Sequence, residues 1–207
     1  MDPIKTEYAT GNERFILKGS DSDLCLINFW AWAYSDCLTN THRGVLAEFL
    51  VASALGIDLK QPREAWAKFD LTYRGKGVEV KSASYHQSWY QKEMSKINFV
   101  IPRTRAWDAD TNRLDSEIKR QARFYVLCLL SEQDRRSVNP LDIDQWRFWV
   151  VPTCFFNDRK RSQHSIGYNS LISEVGQPVG FGNLQEKADA LINDSYPIAT
   201  CRGSLRG

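Results

Sequence analysis

The sequence has no apolar run approaching the ~18 residues of a membrane span, no internal repeat and no low-complexity linker. It also has little charge imbalance: 27 Lys and Arg stand against 25 Asp and Glu, a net +2 over 207 residues. On charge alone, nothing points to nucleic acid. The N-terminus, Met1 to Glu7, lacks the basic-then-apolar order of a secretory leader, so a cytoplasmic address is expected. Histidine is scarce, with His42, His86 and His164 scattered along the chain. The five cysteines (Cys25, Cys37, Cys128, Cys154 and Cys201) are odd in number and form no Cys-x-x-Cys pair, so no zinc site is expected and a reducing compartment is. Cys128 and Cys154 lie within apolar runs, where a thiol packs as a small hydrophobe.

What is present suits one soluble domain. Apolar residues make up 43% and charged residues 25% of the chain, which excludes wholesale disorder. Asp21 or Ser22 is expected to cap a helix with Leu24, Ile27, Ala31, Tyr34 and Leu38 on one face. Asn40 or Thr41 should open a second helix that stops at Gly56. Phe69 to Tyr73 and Val78 to Lys81 alternate around the turn Arg74–Gly77, as a β-hairpin does. Ser82 to Lys96 is expected as a loop, Ile97 to Ile101 as a strand, Trp107 to Asp115 as a loop and Glu117 to Arg123 as a short helix. Phe124 to Leu130 is apolar throughout, like a strand covered on both faces. Trp146 to Val151 is a further buried strand. Asn183 with Glu186 forms a capping box for a last helix carrying Leu184, Ala188, Leu191 and Ile192. Trp30, Trp32, Trp66, Trp146 and Trp149 are expected in the core.

Two features carry chemistry. Glu48 sits in Val45–Leu55, where its helical neighbours Val45, Val51 and Ala52 are apolar. An unpaired carboxylate there costs several kcal/mol or is driven neutral. It needs a counter-charge: Arg43, a cation, or a catalytic lysine. In the hairpin, Glu79 and Lys81 share one face, and the turn can bring Asp70 alongside Glu79. Two facing carboxylates repel unless something positive lies between them. Hard oxygen ligands with open water positions suit Mg²⁺, with Mn²⁺ as a substitute, and a nearby lysine can hold or deprotonate water and counter phosphate charge.

An acid on an apolar helix, followed by a hairpin bearing Asp70 and then Glu79-Val80-Lys81, resembles the PD-(D/E)XK nuclease superfamily. The likeness spans Thr41 to Ser84, and within it Arg43 to Phe49 with Glu79 to Ala83 is similar to an uncharacterised bacterial group. Phe69 stands where the name-giving proline would be. The resemblance implies a single domain over residues 1–207 with its core at about 40–155. Its fold would be α/β, a restriction-endonuclease-like mixed β-sheet flanked by helices, with an extra N-terminal helix and a C-terminal helix. It implies a metal-dependent nuclease acting on DNA, with RNA also compatible. Catalysis would fall to Glu48, Asp70, Glu79 and Lys81, and metal binding to Asp70, Glu79, Val80 (through its carbonyl) and Glu48. Ser82, Gln87, Trp89, Arg103 and Arg105 are candidate nucleic-acid contacts. Arg113, Lys119, Arg120 and Arg123 extend one basic cluster, and Arg159-Lys160-Arg161 forms a second. Related folds often act as dimers, so a homodimer is compatible; no membrane partner is expected. Two rivals stand beside this reading. One is a catalytically inactive module of the same fold that binds nucleic acid or protein. The other is a structural core in which Glu48 pairs with Lys81.

Overall fold

Lys18 and Gly19 both adopt positive φ (52° and 82°), and this two-residue turn folds β1 (Arg14–Leu17) back on β2 (Ser20–Cys25). Strand pairing therefore occupies the segment where helix initiation was expected, and α1 starts only at Leu26 (Leu26–Tyr34). In α2 (Asn40–Ala54), Thr39 is the N-cap and accepts the N–H of His42. Gly56, at φ 66°, ends the helix as expected, its N–H donating to the Ser53 carbonyl. The structure is a computed structural model describing residues 4, 6–65, 67–108, 112–159 and 164–193. Trp66, Lys160, Arg161 and Cys201 lie outside the described residues.

The central sheet is mixed, with strand order β3 (Leu71–Tyr73), β4 (Lys76–Ser84), β8 (Phe124–Leu130), β9 (Trp146–Pro152). Arg74 and Gly75, both at positive φ, form the β3–β4 turn. β4 runs parallel to β8, and β8 antiparallel to β9. All seven residues of β8 are buried, as their unbroken apolarity requires. Val78, Val80, Val126 and Cys128 pack on one face of the sheet with Ala47, Leu50 and Val51 of α2 and with Leu184 and Ala188 of α5 (Leu184–Asn193). The other face buries Ala83, Leu127 and Trp149 with Phe99, Phe156, Ile166 and Leu171. That second layer comes from β5 (Asn98–Val100), α3 (Thr153–Asp158), β10 (Ser165–Gly167) and α4 (Tyr168–Glu174).

The chain between β5 and β8 departs from expectation. In place of a loop and a helix it forms an antiparallel hairpin, β6 (Thr104–Asp108) with β7 (Arg113–Lys119). Leu114, Ser116 and Ile118 alternate with Arg113, Asp115, Glu117 and Lys119, a period of two that outweighs a short charged helix. Trp146 and Trp149 are buried, whereas Trp32 is 84% exposed, because α1 buries none of its residues. Cys128 is a free, buried thiol; Cys154, expected as one, is disulfide-bonded. Among the described residues no helix is long and apolar enough to cross a membrane.

Candidate functional site

The site forms where β3 leaves the edge of β4. The β3–β4 ladder ends at Leu71 and Val78, so two residues further on the β4 edge has no strand partner. Asp70, just before β3, fills that gap by accepting the Val80 N–H on Oδ2 at 2.7 Å. A strand residue presents its N–H and carbonyl to the same edge, so the Val80 carbonyl also opens beside Asp70. Gly77 makes the approach of this segment feasible: a Cβ there would lie 2.4 Å from the Phe69 ring. The Phe69 ring thus packs against Gly77 of the hairpin.

Glu79 and Lys81 project from the face opposite Val78 and Val80, and Lys81 Nζ donates to Glu79 Oε1 at 2.6 Å. The charge of Asp70 is close enough to help push the Glu79 carboxyl above its ordinary range, after burial, the larger cause; Lys81 opposes both. Glu48 reaches the same locus from α2. Burial raises its proton affinity, Asp70 adds to that, and Arg63 and Lys81 counter it. The four residues singled out in the sequence are therefore one electrostatic cluster.

The counter-charge on Glu48 is Arg63. Its Nη2 donates to Oε1 at 2.9 Å and its Nε to Oε2, so both carboxylate oxygens are engaged. Neither Arg43 nor Lys81 takes this place. Arg63 lies in the irregular segment between α2 and β3, and its signal in the sequence was indirect: the demand of a buried acid for a cation. Arg43 is itself buried, donating to the Leu38 carbonyl (2.9 Å), Asn40 Oδ1 (2.7 Å) and Gln87 Oε1 (3.1 Å). With no carboxylate partner among the described residues, its pKa is pushed down by burial to about 10.

The expected nucleic-acid contacts divide. Gln87 is buried and spends its amide oxygen on Arg43, which removes it from the surface. Ser82 is half-buried in β4 and Trp89 is half-exposed. Arg103 and Arg105 are exposed at the start of the β6–β7 hairpin, as is Arg113. Arg120 is buried, bound to the Ile101 carbonyl and Asn157, and Arg159 pairs with Glu174, so neither is a solvated phosphate ligand.

For a divalent cation the donors at the β4 edge are Asp70 Oδ1, Glu79 and the Val80 carbonyl. No group of three His, Cys, Asp or Glu side chains is poised to hold a metal among the described residues. Two carboxylates and a main-chain carbonyl are the donor types that would suit an ion that keeps several waters, as Mg²⁺ does. Glu48 is closed off by Arg63 in this arrangement. Comparison with protein-family models, with curated proteins and with solved structures gives no match to the chain.

Proposed function

We propose that the chain is a divalent-metal-dependent nuclease of restriction-endonuclease-like fold, acting on DNA. The observation that carries this reading is the convergence of Asp70, Glu79, Lys81 and Glu48 where β4 loses its neighbour. There burial, and after it the charge of Asp70, raise the cost of ionising Glu79. Asp70, Glu79 and the Val80 carbonyl would hold Mg²⁺ or Mn²⁺. A bound cation there would offset charge building on the phosphoryl oxygens and on the leaving oxygen.

The protein's own groups do the rest. Asp70 is locked by the Val80 N–H, so its second oxygen keeps a fixed direction. Lys81, about a third exposed, places a cation beside Glu79 at the open side of the site. There it can orient water for in-line attack and counter the phosphate charge. The Arg63–Glu48 pair sets a second cation against α2, from the segment between α2 and β3. Arg103, Arg105 and Arg113 supply phosphate-neutralising charge from the β6–β7 hairpin.

One observation favours a second reading, a non-catalytic DNA-binding module. Arg63 and Lys81 already neutralise two of the three acids from within the chain. The two readings separate on incubating the purified chain with plasmid and linear DNA in millimolar Mg²⁺ or Mn²⁺. Strand breaks that EDTA abolishes support the nuclease. Binding without breaks, and no rise in melting temperature on adding the metal, support the module.

A further inference from the structure

The face of β4 that bears Glu79 and Lys81 continues into a cavity. Glu79, Lys81 and Ala83 alternate onto one side of the strand, and Tyr85, just past its end, packs on the same core cluster as Ala83. Beside Tyr85 lies a cavity of about 480 Å³, lined chiefly by Tyr85, Met94, Lys96, Ile97, Tyr168 and Asn169. Small-molecule sites have volumes of about 300–1,000 Å³, so it is large enough to hold a ligand. At about 3.3 Å per strand residue, Tyr85 stands ~13 Å along the chain from Lys81.

The walls of this cavity are fixed by the fold. The Gln91 side-chain amide donates to the Tyr85 carbonyl (3.3 Å) and to Ser95 Oγ (2.9 Å), and the Ser95 N–H donates to the Tyr85 carbonyl at 2.9 Å. Tyr168 packs edge-to-face on Trp149, with ring centroids 6.1 Å apart. The polar groups around the apolar floor are unspent. Among the described residues the Tyr85 and Tyr168 hydroxyls, the Asn169 amide and the Lys96 ammonium have no hydrogen-bond or ion-pair partner. Burial, and after it Tyr168, push the Tyr85 hydroxyl pKa up, which keeps it a donor at neutral pH. One cation and no carboxylate line the cavity. Its chemistry therefore selects an anion with a flat apolar body and hydrogen-bonding edges.

We propose that this cavity takes an unpaired nucleotide of the DNA strand that lies at Lys81, with its base against the Tyr85 and Tyr168 rings and its phosphate beside Lys96. The inference rests on the proposed function for the presence of DNA at Lys81, and adds to it a preference for unpaired DNA. A base inside a duplex has its faces covered by its neighbours and its pairing edge occupied. Only a base out of the stack can use aromatic walls and free hydroxyl groups. A stacked strand advances about 3.4 Å per nucleotide, which sets the cavity about four steps from Lys81, and fewer for an unstacked strand.

The test is fluorescence anisotropy of labelled DNA with the full chain in EDTA, so that binding is read without cleavage. A duplex with a single-stranded tail should bind more tightly than the blunt duplex by about 5–150-fold, the worth of stacking one base. Equal affinities overturn the proposal. Lys96→Glu and Tyr168→Ala should each lose most of that preference with blunt-duplex binding unchanged, and a preference that survives both overturns the assignment of the cavity. If Tyr168→Ala fails to fold, photo-crosslinking of a tail carrying 5-iodouracil to the wild-type chain decides the matter. Attachment to Tyr85 or Tyr168 is expected, and attachment only elsewhere overturns the proposal. A free deoxynucleoside monophosphate that binds as tightly as the tailed duplex overturns it too, because the cavity would then serve a soluble nucleotide. Strand breaks in Mg²⁺ without the preference leave the nuclease reading standing and overturn this inference; the preference without breaks does the reverse.

Discussion

Asp70 accepts the backbone N–H of Val80 across the end of the β3–β4 ladder, ten residues away in sequence, at 2.7 Å. A side chain here replaces the strand partner that β4 has just lost, and the same bond sets an acid at the centre of the candidate site. Structure and chemistry can be separated by substitution. Asp70→Asn keeps an acceptor and should melt close to wild type while losing DNA cleavage and metal-induced stabilisation. Asp70→Ala orphans the Val80 N–H and should cost about 1–3 kcal/mol, read by urea unfolding.

Arg63 and Glu48 make the second test. Arg63→Ala leaves a buried carboxylate with no adjacent cation and should destabilise the fold by about 1–3 kcal/mol in EDTA. It also leaves Glu48, Asp70 and Glu79 facing Lys81 alone. Mn²⁺ should then bind more tightly than in wild type and restore part of the lost melting temperature. Calorimetric titration of both proteins measures the difference. Unchanged or weaker Mn²⁺ binding would mean that the acids do not share a cation.

Glu79 gives a dependence on pH. Its carboxyl is raised by burial and by Asp70, so the folded chain holds this proton more tightly than the unfolded chain does. Folding therefore takes up a proton between the ordinary carboxylate value, about 4.3, and the raised one. Stability from this group is lost as pH rises through that window and is flat above it. Glu79→Gln removes the slope. In EDTA, the melting temperature of the variant relative to wild type should increase from about pH 4 to neutrality. A difference that is constant with pH contradicts the assignment.

Gly77 and Phe69 test the packing that sets Asp70 in place. Gly77→Ala puts a methyl group into the Phe69 ring and should cost about 1–3 kcal/mol, as overpacking does. Phe69→Ala should relieve most of that penalty, giving a favourable coupling energy in a double-mutant cycle measured by chemical denaturation.

Much of this was legible in the sequence, and the exceptions have physical causes. The β3–β4 hairpin, the all-buried β8 and the stop of α2 at Gly56 follow from alternation, unbroken apolarity and glycine geometry, all local signals. The β6–β7 hairpin was legible too, but the charges of Glu117 to Arg123 obscured a period of two. The β1–β2 hairpin was hidden because Lys18-Gly19 closes a turn between strands that bury almost nothing, which removes the usual hydrophobic alternation. Glu48 was identifiable as an acid in need of a partner. Arg63 was not, because no periodicity reaches across the irregular chain between α2 and β3. Gln87 shows the converse: a polar residue in a loop region belongs to the interior once a buried arginine requires its oxygen.

The central claim is that Lys81 and its neighbouring acids cleave phosphodiester bonds. Single-turnover cleavage of a labelled DNA duplex by wild type and by Lys81→Met, at equal folded fraction and saturating Mg²⁺, tests it most directly. The account predicts cutting by the wild-type chain and a rate lower by about 10²–10⁴-fold in the variant. Equal rates, or intact DNA with folded wild-type protein in both Mg²⁺ and Mn²⁺, would contradict it.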